Sequence, residues 1–238
     1  MPRRVHASSL AAAAADLRCL ARRKGLRGAL RTVAQGISGT VSAPGEMHVL
    51  VKPLDTVAPL GSVPRLQLDE ITQASLPELA RLNRARCATR ADARLAGNLA
   101  HGWHGFLAHE DGHPVGWYWW LDATAELHPH LDRLGIELRH GDVYGFDFFL
   151  DEAHRGEGRA LEFLHHVETA LRRRGFARLW GYVDGANTPA RWTYSVRGYA
   201  VVRTVHLRRG SMRASRAGTG KRGSGPRARS TPRGMRHA

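Results

Sequence analysis

The sequence predicts a mixed α/β domain with an extension at each end. Runs rich in β-branched and aromatic residues alternate with stretches of helical periodicity, which is the pattern of a sheet covered by helices. The excess of Lys and Arg lies outside those runs. The 238 residues give room for one domain of about 150 residues with a core of its own.

The net charge of +15 by itself suggests nucleic acid as a partner, but its distribution argues otherwise. Residues 1–45 hold eight Lys or Arg and one acid, and residues 208–238 hold ten and none, leaving 18 basic against 20 acidic residues between them. The near-neutral middle is the part expected to fold. We therefore divide the chain into a basic N-terminal helical extension (1–45), a folded domain (46–208) and a basic tail (209–238) too poor in apolar residues to order itself. The basic ends suit weak, nonspecific contact with nucleic acid or an anionic surface. The tail has no aromatic residue to stack on bases, which excludes sequence reading by stacking.

No apolar run approaches the roughly 18 residues of a membrane span, so integral membrane association is not expected. In "MPRRVHASSLAAAAADLRCLARRKG", Asp16 and Arg18 cut the apolar region short for a secretory signal, although an Arg-rich, acid-poor start also has the composition of a transit peptide. Cys19 and Cys87 are far apart in a chain whose hydrophobic content of 42% suffices for a core, so no disulfide framework is implied and a cytoplasmic location is expected.

Along the chain, residues 9–33 read as basic amphipathic helix interrupted near Gly25 and Gly28, followed by a Gly/Ser/Pro linker. "MHVLVKPL" reads as a first strand. Residues 74–100 suit helices, with Ser75 capping ahead of Pro77. "WHGFLAHE" and "VGWYWWL", joined by "DGHP", form a hairpin. Its alternation places Trp117 and Trp119 on one face and Tyr118 and Trp120 on the other, as core packing on both faces requires. After a less regular segment, 122–141, "DVYGFDFFL" reads as a buried strand with Gly145 marking a bulge. A helix over 156–174 aligns Leu161, Leu164, Val167 and Leu171 and ends in Arg172 to Arg174 and Gly175. A strand "ARLWGYVD", a short helix "TPARWTYSVRG" and a last strand "YAVVRTVHLRR" follow.

The stretch "DEAHRGEGRALEFLHHVE" carries chemistry. A strand, a glycine-containing turn and a helix aim unpaired N–H groups at one point, where the positive end of the helix dipole adds to them and an anion binds. Gly156 and Gly158 would let a pyrophosphate approach the main chain closely. The ending of a P-loop and the G-x-G-x-x-G fingerprint are both lacking. Arg155, Gly158 and Ala160 instead match an R/Q-x-x-G-x-G/A pattern. About thirty residues on, "NTPARWTYSVRGY" places Asn187, Ala190, Tyr194, Gly198 and Tyr199 in an N-x-x-A-x-x-x-Y-x-x-x-G-F/Y pattern. In these two blocks the chain resembles the GCN5-related N-acetyltransferases (the GNAT superfamily) over roughly 47–207.

That resemblance implies a mixed, mostly antiparallel central sheet flanked by helices, with central strands splayed to admit acetyl-CoA. It implies an acyltransferase in which the pantetheine arm pairs near Phe148, Phe149 and Leu150 and the pyrophosphate sits on the turn Arg155, Gly156, Gly158, Arg159 and Ala160. Asn187 would contact the pantetheine region, and Tyr194 would lie near the thioester sulfur. An amine acceptor attacks only when neutral, so a base is needed. Asp147, a lone carboxylate in "VYGFDFFL", is the candidate, although relatives often carry an acid earlier on this strand, where Tyr144 stands here. Eight histidines in close pairs, including His101 with His104 and His128 with His130, lack convergent Asp, Glu or Cys, so no metal is expected. Glu157 is expected to face solvent. A homodimer is compatible with the sequence without being demanded by it. Two other readings remain open: a protein of this fold that binds acyl-CoA without catalysis, and a binder of nucleic acid or anionic surfaces through its basic ends.

Overall fold

The computed structural model describes residues 14–22, 25, 45–55, 57, 64–85, 87–88 and 91–207. The tail 209–238 and most of the predicted extension and linker lie outside the described residues. Residues 14–22 form helix α1. The elements that follow are β1 (Gly45–Pro53), β2 (Leu66–Glu70), α2 (Leu76–Ala85), α3 (Ala91–Ala100), β3 (His104–Glu110), β4 (His113–Asp122), α4 (His130–Leu134), β5 (Asp142–Leu150), α5 (Arg159–Arg173), β6 (Arg178–Asp184), α6 (Thr188–Val196) and β7 (Ala200–Leu207). Seven strands form one sheet in the order β2-β3-β4-β5-β6-β1-β7. Every neighbouring pair is antiparallel except β5 with β6.

Alternation along the strands sorts side chains into two cores. Tyr118 and Trp120 pack with Phe163, Leu164, Val167 and Leu171 of α5, while Trp117 and Trp119 pack with Leu79 and Leu82 of α2 and Leu95 of α3. All four aromatics of "WYWW" are buried, as core on both faces demands. Leu161 departs from the predicted stripe: it is half-buried and lines a cleft at the start of α5. Short β2, which pairs with β3, and the single turn of α4 inside the irregular segment were not expected. Ser75 serves the 3-10 turn before α2, its Oγ accepting from Thr72 N at 3.1 Å.

The parallel pair is short. Asp142, Val143 and Tyr144 pair with Arg178, Leu179 and Trp180, and the ladder stops there. At its root the Arg178 guanidinium donates to both oxygens of buried Asp142, at 2.7 and 2.9 Å. Beyond Tyr144 the strands diverge, which is the splay the resemblance implied.

The bulge on β5 is at Asp147, not Gly145. Trp119 pairs with Phe146 and Trp117 with Phe149, so Asp147 and Phe148 together face Tyr118. Asp147 takes up the extra residue in a left-handed conformation, φ 49°. Gly145 is needed for another reason: a Cβ there would stand 1.7 Å from the Tyr118 hydroxyl.

Lys52 of β1, Glu168 of α5 and Arg197 at the end of α6 form a buried cluster, with Lys52 Nζ 2.6 Å from Glu168 Oε2 and Arg197 bonded to the same oxygen. Cys19 of α1 and Cys87, between α2 and α3, are joined as a disulfide, which corrects the reading of them as unpaired. A separation of 68 residues along the chain does not predict separation in space once α1 folds back. The expectation of a reducing compartment thereby loses its support.

Candidate active site

A cleft of about 700 Å³ opens where β5 and β6 part. One wall is Phe148, Phe149 and Leu150. The floor is the turn of Arg155, Gly156 and Gly158 with Ala160, and the far wall is the start of α6 with Asn187 and Tyr194. Every predicted cofactor residue except Arg159 lines it.

The backbone geometry of the turn suits an anion. Gly156, Glu157 and Gly158 all have positive φ, at 103°, 46° and 80°. The amide of Arg155 bonds to Glu152 O and that of Arg159 to Gly156 O. Those of Gly156, Glu157, Gly158 and Ala160 have no hydrogen bond among the described residues, and they stand at the positive end of the fifteen-residue α5. No atom lies within 4 Å of where a Cβ on Gly156 or Gly158 would stand. These features fit a pyrophosphate. Arg155 braces the turn by donating from Nε to Leu150 O at 3.0 Å.

Arg159 turns away from the cleft. Its Nε donates to both oxygens of Glu110, at 2.8 and 3.0 Å, and its Nη1 to Glu157 at 2.9 Å. Hydrogen bonding from His154, aided by Arg159, holds the Glu110 carboxyl below its usual pKa. Glu157 is exposed, as expected, and also pairs with Arg65 at 2.8 Å.

Asn187 caps α6, its Oδ1 accepting from Ala190 N at 3.2 Å, which leaves its amide nitrogen for a ligand. Tyr194 lies six residues into α6 and is 8% exposed. Burial, then the neighbouring Tyr182 and Glu168, push its hydroxyl above the ordinary phenol range. It therefore keeps its proton near neutral pH and has a hydrogen to donate.

A second cavity, about 570 Å³, lies on the preceding residues of β5, Phe146 and Asp147, and is closed by Tyr182 of β6. The Asp147 side chain is 23% exposed, although it stands in an apolar run. The bulge carries it to the cavity, where its Oδ2 accepts from Arg94 of α3 and from Trp117 Nε1 at 3.2 Å. His101, His128 and His130 converge on the same cavity beside Trp103. Burial, with the nearby His130 and Arg94, lowers His128 to a pKa of about 3, and burial likewise lowers His130. Both imidazoles are neutral near pH 7. Among the described residues no group of three His, Cys, Asp or Glu side chains could hold a metal ion. Arg94, Asn98, His128, His130 and Tyr182 were missed as site residues. His128 and His130 stood out as a close pair and Tyr182 by its place in an alternating strand; Arg94 and Asn98 had no local signal. Burial, then the nearby charge of Asp147, pushes the Tyr182 hydroxyl up to about 12.

The acetyltransferase (GNAT) family model matches residues 68–199, more than half of the chain. Curated protein sequences give no match. Among solved structures, a functionally unknown conserved protein from Staphylococcus epidermidis is similar with a TM-score of 0.51 at 11% identity, over 73% of this chain and 64% of that one. A GCN5-related glucosamine N-acetyltransferase region of a fungal multi-domain GH3 β-N-acetylglucosaminidase gives a TM-score of 0.51 at 15% identity, over 73% and 22%. This chain spans less than two thirds of either protein, and at these identities the likeness is one of fold. The family match over the segment that holds the anion turn, the splayed strands and Tyr194 shows that the chain belongs to the acetyltransferase (GNAT) family.

Proposed function

We propose that the protein is an acetyl-CoA-dependent N-acetyltransferase that passes the acetyl group directly to an amine within a ternary complex. The observation that carries this reading is the convergence of the motif residues and Tyr194 on one cleft, with a second cavity on the adjoining residues of β5. The free amides of the turn would hold the pyrophosphate, and the edge of β5 at Phe148 to Leu150 would hold the pantetheine arm.

The acceptor enters from the Asp147 side. Its neutral nitrogen attacks the thioester carbonyl carbon, the C–S bond breaks, and the nitrogen loses a proton as the sulfur leaves with the electron pair. In this reading Asp147 orients the amine and takes that proton. It shares its charge with Arg94, so the incoming amine competes with a guanidinium for the carboxylate. Tyr194, held protonated, donates a hydrogen bond to the departing thiolate, which stabilises charge that develops only as the bond breaks.

Calorimetric titration with acetyl-CoA, desulfo-CoA and an adenine nucleotide tests the cleft, and turnover in Tyr194→Phe tests the chemistry. Saturable binding that needs the pantetheine arm, with turnover reduced far more than affinity in the variant, is the expected result. Binding without transfer to any amine would make this an acyl-CoA-binding protein, and no binding by folded protein would remove the reading altogether.

A further inference from the structure

A turn whose amides suit an anion should exclude carboxylates, yet one stands within it and another is buried beside it. Glu157 lies between Gly156 and Gly158, and Glu110 is the buried last residue of β3. Neither lines the cleft. Glu110 holds both flanks of the turn at once. Its Oε2 lies 2.8 Å from Nδ1 of His154, ahead of the turn, and its two oxygens accept from Arg159 Nε, after the turn, at 2.8 and 3.0 Å. Only residues 155–158 are left between these two anchors. Arg159 donates from Nη1 to Glu157 at 2.9 Å, and Glu157 accepts from Arg65 as well, at 2.8 Å. A string of charged and polar side chains, His154, Glu110, Arg159, Glu157 and Arg65, thus backs the turn.

The backbone needs such a hold. Gly156 and Gly158 take positive φ freely, but Glu157 does so at 46°, a conformation that a side chain resists and that persists where its surroundings fix it. Packing does not fix Glu157, whose side chain is 69% exposed, and exposed ion pairs hold weakly. The buried pair of Arg159 with Glu110, 17% and 9% exposed, is the firm part of the string.

Resting on the transferase reading above, we propose that Glu110 is a positioning residue for the cofactor: through His154 and Arg159 it pre-shapes the turn that receives the pyrophosphate, and Arg159 serves acetyl-CoA without touching it. Charge alone predicts the opposite behaviour. Glu110 sets a negative charge close to a site for an anion, so its removal should tighten binding by Coulomb attraction. Pre-shaping makes the same removal weaken binding, because the turn must then be ordered as the cofactor arrives.

The test uses the full-length chain as wild type, Glu110→Gln, Arg159→Met and the double variant. Calorimetry gives the Kd of acetyl-CoA, and ligand-observed NMR gives that of S-acetylpantetheine, which has the arm and the thioester but no pyrophosphate. Glu110→Gln should raise the Kd of acetyl-CoA by about tenfold and move that of S-acetylpantetheine by less than about twofold. The double variant should bind no more weakly than the weaker single one, since both substitutions break one contact. Should Glu110→Gln not fold, the double variant, which leaves neither charge of the pair behind, carries the same prediction. An unchanged or lower Kd for acetyl-CoA in Glu110→Gln, an equal loss for both ligands, or losses that add in the double variant overturns this proposal alone. So does a wild-type chain that binds both ligands alike. Failure of the wild-type chain to bind acetyl-CoA overturns both this proposal and the transferase reading.

Discussion

Glu168 is fully buried between two cations, Lys52 and Arg197, which are themselves 3% and 10% exposed at the side chain. Replacing Glu168 by Leu removes one charge and strands two. Breaking a buried ion pair in this way costs about 3–5 kcal/mol, a large part of the roughly 5–15 kcal/mol that holds a domain together. Replacing all three residues by apolar ones of similar size removes every unpaired charge, so the triple variant Lys52→Met, Glu168→Leu, Arg197→Met should be more stable than Glu168→Leu alone. The pH dependence has a definite sign. Burial lowers the pKa of Lys52 while Glu168 raises it, so losing Glu168 lowers it further. Between that folded value and about 10.4 in the unfolded chain, the unfolded state binds more protons, and stability of Glu168→Leu should rise with pH. Urea unfolding across that range, with the m-value checked for constancy, measures both effects. A loss below about 1 kcal/mol for Glu168→Leu, or a triple variant less stable than the single, would refute the argument that uncompensated charge dominates. Because Arg197 closes the end of α6, folded variants of the cluster should also lose turnover through Tyr194.

Tyr194→Phe should lower kcat by about 10–100-fold, the worth of a hydrogen bond to a charged group, while the Kd for acetyl-CoA, read by calorimetry, moves about twofold or less. Gly158→Ala meets open space but must hold φ near 80°, so it should cost about 1–2 kcal/mol in thermal unfolding and weaken acetyl-CoA binding. His128, with a folded pKa of about 3 against the ordinary 6.5, is protonated in the unfolded chain first. Acid should therefore destabilise the fold by about 2 kcal/mol between pH 7 and pH 5, and His128→Phe should flatten that slope in unfolding measurements. Asp147→Asn should reduce kcat/KM and flatten the acid limb of the pH–rate profile, and an unchanged profile would dismiss it as the proton acceptor.

What was legible in the sequence was what a residue type alone dictates. Gly156 and Gly158 advertise positive φ because side chains resist it, and both adopt it. Leu164, Val167 and Leu171 repeat at helical spacing and are all fully buried. Glu168 follows Leu164 by four residues and so stands on that same stripe, a signal of a buried charge that was available. Other features depend on partners distant in the chain. Cys19 and Cys87 meet only through the packing of α1. β2 is five residues whose strand character comes from pairing with β3. The bulge was assigned to Gly145 because glycine is the usual marker, whereas the register between β4 and β5 places it at Asp147. Asp147 tolerates a left-handed φ better than most side chains.

The bulge also explains why cleft and second cavity adjoin. Before it, Tyr144 and Phe146 face the core under α2 and α3. A strand without a bulge would send residue 147 to the opposite face and residue 148 back to this one. The extra residue shifts that phase, so that Asp147 joins Phe146 at the second cavity, while Phe148 packs toward α5 and borders the cleft. The ion pair of Arg178 with Asp142 fixes where the parallel ladder begins, and β5 and β6 present Gly145 and Gly181 immediately beyond its last pair, Tyr144 with Trp180. The fork and the change of phase are thus backbone properties set within a few residues of one another. The second cavity is walled elsewhere, by α3, α4 and the segment from His128, whose side chains can change without disturbing the fork.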